Sequence, residues 1–418
     1  MTESSYTNHG IRLDSIPETE FNDYRYQVIF NAYKWDPQVS DHPTIAKHVV
    51  ILSRKTADQL EQWAEKLTEE TIHSEEILLK SPKSLSSQGL PKAVLRRFPC
   101  PYDSNRHVRL MRFDFHPITT DEGWAVSEVN SDVPGGLAEA AILPRLCAQY
   151  FDNILPSKNI ANIILDAFRP LIKPNDVFAL IHATSYSDDR QVVQFLGDAF
   201  KSNGYNAICV APDHLQWNRA THSCAIYNPP NHIPINAIVR FFPAEWLRNL
   251  AFFSNWQQFF LTQIPSCNHP AAVLSQSKRL PLLWEALGLE FPTWKKLLPP
   301  IADPKIKRTL EPSWIWKPAL GRVGADITIQ GTLSDKERQQ IEKAVRKRPS
   351  EWIAQKLFQS FPLAAPDGTA WHLCVGVFTV NGKSAGFYGR ISQQPRIDET
   401  AKDIPILIQG DMTHDRQH

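Results

Sequence analysis

The stretch that most constrains the fold is residues 111–132, MRFDFHPITTDEGWAVSEVNSD. Two short alternating runs flank TTDEG, a turn-forming segment, and together they read as a β-hairpin. Side chains on a strand point to alternate faces. Met111, Phe113 and Phe115 therefore share one face, and Arg112 and Asp114 the other. In the second run strict alternation places Glu128 and Asn130 on a face with Trp124 and Val126. If the runs pair antiparallel, three oxygen donors, Asp114, Glu128 and Asn130, converge with the Arg112 guanidinium. Oxygen donors without His or Cys suit a hard cation, Mg2+ or Mn2+, better than zinc. Mg2+ takes few protein ligands and completes its shell with substrate phosphates, so such a site implies a nucleotide. The same residues on an exposed hairpin would make ordinary surface ion pairs, and spacing alone does not separate the two readings. The strongly apolar opposite face of the first run places that strand on a core, which lets its polar face line a cleft.

The rest of the chain supplies an α/β setting. Helical spacing and composition run over residues 56–80 and again over 135–152. The apolar run NDVFALIHATS, the helical SDDRQVVQFLGDAFKSNGY and the strand NAICVAP make a strand–helix–strand unit of a parallel sheet, with INAIVRFFP as a further strand. SKRLPLLWEALG reads as a helix closed by Gly288. SWIWKPAL, DITIQG, EWIAQKLF, WHLCVGVFTV and SAGFYGRIS read as strands, the last two joined by an Asn381-Gly382 turn. SDKERQQIEKAVRKR opens with a capping box of Ser334 and Glu337 and reads as a polar helix. The expected division is residues 1–164 (N-terminal helices and the hairpin), 165–262 (a small parallel α/β domain) and 263–418 (a nucleotide-binding lobe and late core strands).

Composition excludes several classes. A net charge of +1 gives no electrostatic case for nucleic acid or an anionic membrane as a partner. The start of the chain lacks the charged-then-apolar order of a signal peptide, and no apolar run approaches the roughly 18 residues that span a bilayer. The expectation is a cytoplasmic protein acting on small molecules, with no nucleic acid or membrane partner and an oligomeric state the sequence leaves open. The six cysteines form no CxxC pair and read as buried thiols rather than disulfides or a zinc site.

A second constellation is WIWKPALGRVGADI. Lys317 ends an apolar strand and precedes Gly321, Arg322 and Gly324, whose backbone amides can approach phosphates closely. It is not a Walker loop, since a strand rather than a helix follows the glycines. Read alone, paired glycines also make an ordinary hairpin turn. In EWIAQKLF an apolar strand is broken by Gln355 and Lys356, which can present backbone groups to a base or be structural only.

The order of these motifs is familiar. RFDF, an acidic-x-Asn strand followed by Asp, KPxxGRxG, a strand containing Gln and then GRIS resemble the glutathionylspermidine synthetase-like ligases of the ATP-grasp superfamily. VRFFPAEWL and LPLLWEAL are similar to two further stretches of that family, and the resemblance spans about residues 95–395. It covers the synthetase part, without the amidase domain of bifunctional members. The resemblance implies an α/β (α+β) ATP-grasp fold in which antiparallel sheets clamp ATP beside a small parallel-sheet domain. It implies an ATP- and Mg2+-dependent ligase that joins a carboxylate to an amine through an acyl phosphate. In that scheme Asp114, Glu128 and Asn130 hold Mg2+ (or Mn2+), and Arg112 and Arg390 are catalytic. Lys278, Lys317, Gly321, Arg322, Gly324, Gln355, Lys356 and Leu357 bind ATP. Glu245, Thr184, Ser185 and Asp132 are candidate substrate contacts, although Glu245 reads equally as a buried ion-pairing residue.

Two departures stand out. Where the family carries hydroxyl residues after Asn-x-Asp, this chain has Val133-Pro134-Gly135-Gly136, which argues against glutathione as substrate. Lys278 lies three residues before Pro281 rather than four, about 100° of rotation on a helix. These departures motivate a second reading, a catalytically weak nucleotide-binding or scaffold protein that keeps the fold. Phosphoryl transfer needs positioning and charge neutralisation rather than a nucleophilic triad, and none is evident, so His182, His372 and the other histidines read as structural.

Overall fold

In the computed structural model, which describes residues 6–39, 41–120, 123–306, 311–321 and 334–410, the two alternating runs form strands Leu110–Pro117 and Trp124–Asn130, paired antiparallel. The first is also flanked by Ala370–Val380, beyond which lie Lys383–Ser392 and Lys402–Ile404, completing with Leu363–Ala364 a six-stranded sheet. The Asn381-Gly382 turn has both residues at positive φ (47° and 83°), as a two-residue hairpin of matching twist requires.

The apolar face of this sheet presents Met111, Phe113, Phe115, Val375 and Val377 to the helix Arg54–Lys80. That helix begins at Ser53, whose hydroxyl accepts from the Thr56 N–H, and buries Leu60, Ala64 and Leu67 at the spacing of one face. Strict alternation fails in the Trp124–Asn130 strand. The register steps from Asp114 opposite Glu128 to Phe115 opposite Val126, so Ser127 is an extra residue in a β-bulge. The bulge resolves the conflict in the sequence pattern. Trp124 and Val126 join the core, while Glu128 and Asn130 turn to the cleft face.

The parallel sheet also forms, in the order Ser266–Cys267, Ala237–Phe241, Val177–His182, Asn206–Val210. Helix Ser187–Ser202 crosses it, burying Val193, Leu196 and Phe200, and Phe178 packs edge-on against Phe168. A third sheet orders Ile301–Ala302, Trp352–Lys356 and Trp314–Pro318, flanked by helix Asp335–Lys347 with its Ser334/Glu337 capping box in place. Arg322, Gly324 and the expected DITIQG strand lie outside the described residues.

Two local expectations are corrected. LPLLWEAL is not an α-helix but two 3-10 turns, Leu280–Leu283 and Glu285–Leu287. Pro281 brings no N–H, and the bonds that form reach back three residues, Leu282 to Arg279 (3.0 Å) and Leu287 to Trp284 (3.2 Å), before Gly288 closes the segment at φ +66°. The N-terminal part is not only helical. Ile11–Ser15 and His48–Leu52 pair with each other, and Ile406–Ile408 runs parallel to the latter. All six cysteines are free.

Candidate active site

The polar face of the hairpin opens on a cavity of about 400 Å³ walled by the central sheet, the start of helix Ser187–Ser202 and the Trp314–Pro318 strand. Its floor is built by register. Asp114 lies opposite Glu128, Arg112 opposite Asn130, and on the other side Asp114 lies beside Gly376. Arg112 grips Asp114 through both carboxylate oxygens (Nε to Oδ1 2.7 Å, Nη2 to Oδ2 2.9 Å) and donates to the Gly135 carbonyl (2.7 Å). The Asn130 amide donates to Asp114 at 3.0 Å.

Gly376 makes this geometry possible. A Cβ there would stand 2.7 Å from Cδ of Arg112. Above the guanidinium lies the ring of Tyr388, 5.0 Å from it, with its hydroxyl donating to Asp403 (2.7 Å). Lys34 bridges Asp403 (2.8 Å) and Glu139 (3.1 Å). Gly136 adopts φ +85° directly under Tyr388, where a Cβ would come within 2.8 Å of the ring. The glycines of Val133-Pro134-Gly135-Gly136 therefore carry a structural duty, one carbonyl for Arg112 and one bare Cα for Tyr388.

Two lysines enter from the other side. Lys278 pairs with Glu128 (3.0 Å) and donates to the Gly321 carbonyl (2.6 Å). Lys317 is buried at the end of its strand and lines the same cavity. Burial alone would push the Glu128 carboxyl up, but Lys278, Lys317 and Arg112 hold it down at about 2. Burial, aided by Lys278, lowers Lys317 to about 8 against the pull of Glu128 and Asp114. Arg390, opposite Cys374 on the neighbouring strand pair, lines the cavity and donates to the Asp398 carbonyl.

Behind Lys278 and Lys317 a narrow pocket of about 40 Å³ is lined by Trp284, Trp294, Leu298, Ile301, Ile353 and Gln355. The Gln355 side-chain oxygen is buried there without a hydrogen-bond partner among the described residues. Leu357 lines the larger cavity, whereas Lys356 is exposed with its ammonium over Trp314. The backbone N–H groups of Lys356 and Leu357 already donate to Pro300 (2.7 Å) and Ser313 (2.8 Å).

None of the four substrate candidates lines the cavity. Asp132 is fully buried, paired with Arg240 and accepting from the Ala244 N–H (2.8 Å), so it ties the hairpin to the parallel sheet. Glu245 is buried in the adjoining turn Ala244–Asn249. Thr184 and Ser185 are exposed at the carboxyl end of strand Val177–His182. The next helical turn does reach the cavity, through Asp188, Asp189 and Gln191. Among residues the sequence reasoning missed, Gly376 had a signal, a glycine inside an otherwise apolar strand, which marks close approach. Tyr388, Lys34 and Asp403 had none, because their meeting depends on tertiary folding.

Residues 16–409 match the family model described as glutathionylspermidine synthase preATP-grasp. The chain belongs to that family. A solved structure of a glutathione synthetase-like effector from Globodera pallida, in apo form, superposes with a TM-score of 0.64 at 12% identity, covering 93% of this chain and 96% of that one. A putative gamma-glutamylcysteine synthetase from Methylobacillus flagellatus gives a TM-score of 0.40 at 12% identity, covering 79% of this chain and 86% of that one. No curated protein sequence matches. The first superposition shows a shared fold, and the architecture is an ATP-grasp one, with antiparallel sheets beside a parallel one. Among the described residues, no helix of this family member is long and apolar enough to cross a membrane.

Proposed function

We propose that this protein is an ATP- and Mg2+-dependent carboxylate–amine ligase that forms an amide through an acyl phosphate on a peptide-, amino-acid- or polyamine-like substrate. The observation that carries the reading is the cleft face itself. Asp114, Glu128 and Asn130 lie side by side, with Arg112, Lys278, Lys317 and Arg390 around them, in a family of synthetases.

The donor set fits a hard divalent cation. Among the described residues no three His, Cys, Asp or Glu side chains converge as a metal site, so an ion here would rest on two carboxylates and one amide. That is the sparse, oxygen-only set Mg2+ accepts when phosphates complete its shell. The surrounding cations keep Glu128 ionised at neutral pH. When bound, the ion supplies neutralisation of phosphate charge. The Gln355 oxygen, without a hydrogen-bond partner among the described residues and in a pocket behind both lysines, fits a nucleobase amino group. Seating a purine there requires that narrow pocket to widen.

Within this scheme Lys317 and Lys278 hold phosphate oxygens at the pocket mouth. Arg112, fixed on three sides by Asp114, Gly135 and Tyr388, presents its charge to the carboxylate being activated. Arg390 flanks the same point from the next strand. The chain neutralises and orients, and an amine then displaces phosphate from the activated carbonyl. Supplying candidate acids and amines with ATP and following ADP release tests the reading. Product mass separates ligation, a loss of water between two joined substrates, from simple phosphorylation. Turnover unaffected by Asp114→Ala or Glu128→Ala would sink the site assignment, and ATP binding without ADP formation across a broad screen would favour the binding-protein alternative.

A further inference from the structure

Lys278 stands out because it does two things at once. Its ammonium contacts Glu128 at 3.0 Å and the Gly321 carbonyl at 2.6 Å, and its backbone N–H donates to Ala319 at 2.9 Å. The side chain is largely withdrawn from water, as is that of Glu128, so the pair is screened little. Asp114, directly opposite Glu128, is satisfied in a parallel way by Arg112. Two adjacent carboxylates in a poorly hydrated cleft repel each other, and here each has its own cation. The two cations differ in how firmly they are held. Arg112 is clamped by Gly376 beneath, Tyr388 above and the Gly135 carbonyl at its end. Lys278 is a single ammonium on a flexible stem, held by one carboxylate and one carbonyl.

We infer that Lys278 is a displaceable counter-ion: its ammonium and a divalent cation are rival partners for Glu128, and the lysine leaves that carboxylate most readily when phosphate oxygens offer it another anion. This rests on the reading of Asp114, Glu128 and Asn130 as metal ligands. A dication beside Glu128 repels the ammonium, so metal alone must displace Lys278 onto the Gly321 carbonyl, its other acceptor among the described residues. Nucleotide phosphates remove that obstacle. Metal and nucleotide therefore bind with positive coupling, and each favours the other by the same factor.

The test is Mn2+ binding to the full chain, read by electron paramagnetic resonance of free Mn2+, with and without the non-hydrolysable analogue AMP-PNP. Without the analogue, Lys278→Met is expected to bind Mn2+ about tenfold tighter than the parent, and Lys278→Arg to match the parent. AMP-PNP should tighten Mn2+ binding to the parent and do so much less for Lys278→Met. Lys278→Met that is folded by circular dichroism yet binds Mn2+ no tighter than the parent overturns the inference. Should that variant fail to fold, Lys278→Gln makes the same comparison. A double variant, Asp114→Asn with Glu128→Gln, separates the two levels. If it abolishes Mn2+ binding while Lys278→Met changes nothing, only the counter-ion role falls. If Mn2+ binding survives in it, the metal-ligand reading falls as well.

Discussion

Nε2 of His116 lies 3.0 Å from the hydroxyl of Ser127, the one residue of its strand that has no partner opposite it. His116 is buried and held neutral, its ring pushed down to about 3 by burial and by Lys317. The contact pins the bulge, and the bulge decides which way Glu128 and Asn130 face. Deleting Ser127 restores strict alternation and drives both polar side chains toward the core. The expected outcome is an unfolded or insoluble chain. Ser127→Ala should fold, with a loss of about 1 kcal/mol in urea unfolding. A Ser127 deletion that folds and still binds Mn2+ would show that the register does not depend on the extra residue.

The buried pair of Asp132 and Arg240 joins the end of the hairpin to the parallel sheet. Asp132→Ala leaves the guanidinium uncompensated and should cost about 3–5 kcal/mol of stability. Asp132→Leu combined with Arg240→Met should recover much of that loss. Were Asp132 a substrate contact, Asp132→Ala would instead raise KM with an unchanged melting temperature.

Gly376 carries no side chain because Arg112 lies across it. In Gly376→Ala the new methyl would stand 2.7 Å from Arg112 Cδ and 3.0 Å from its Nε. The arginine should shift off Asp114, lowering kcat for ADP release by about ten- to a hundredfold, while the melting temperature moves little. A full kcat in this variant would mean that Arg112 tolerates a different pose.

Outside the cavity lining, the rings of His107 and His269 lie with centroids 4.7 Å apart and tilted by 44°, both buried, with Tyr102 against each. Burial lowers His107 to about 4, and burial with the neighbouring His107 lowers His269 well below its ordinary value. Between pH 6.5 and 4 the unfolded chain therefore binds more protons than the folded one, so stability rises with pH across that window and falls on acidification. His107 alone should account for about 2–3 kcal/mol between pH 7.5 and 4. Urea midpoints measured at several pH values should show this slope, and His107→Gln should flatten it.

Much of the architecture was legible because it rests on local pattern. The parallel strands Val177–His182 and Asn206–Val210, the capped helix Asp335–Lys347 and the Asn381-Gly382 turn each follow from periodicity, capping or turn chemistry within a few residues. The candidate site was legible in its polar residues and not in what supports them. Asp114, Glu128 and Lys317 can be picked out by type and spacing, and the cavity does bring them together. The bulge at Ser127, the seat of Tyr388 on Gly136 and the Lys34–Asp403 pair are contacts between distant segments that no window of sequence contains. Asp132 misled for a related reason. Its position after Asn130 suggests a cleft residue, but the chain turns there, and the carboxylate goes to Arg240.

The pairing of Leu110–Pro117 with Ala370–Val380 also sets a timetable. On a ribosome the hairpin emerges early, with its apolar face complete but its second neighbour strand still unmade. The inner strand, which carries Phe113 and Phe115, must wait through synthesis of the parallel sheet and of the Trp314–Lys356 sheet before Val375 and Val377 arrive to pair beside them. A domain assembled from such distant segments closes late and slowly, and its waiting strand is an open edge in the meantime. The cleft therefore comes into being as one of the last events of folding, when the wall that carries Gly376, Tyr388 and Arg390 slides into place beside Arg112.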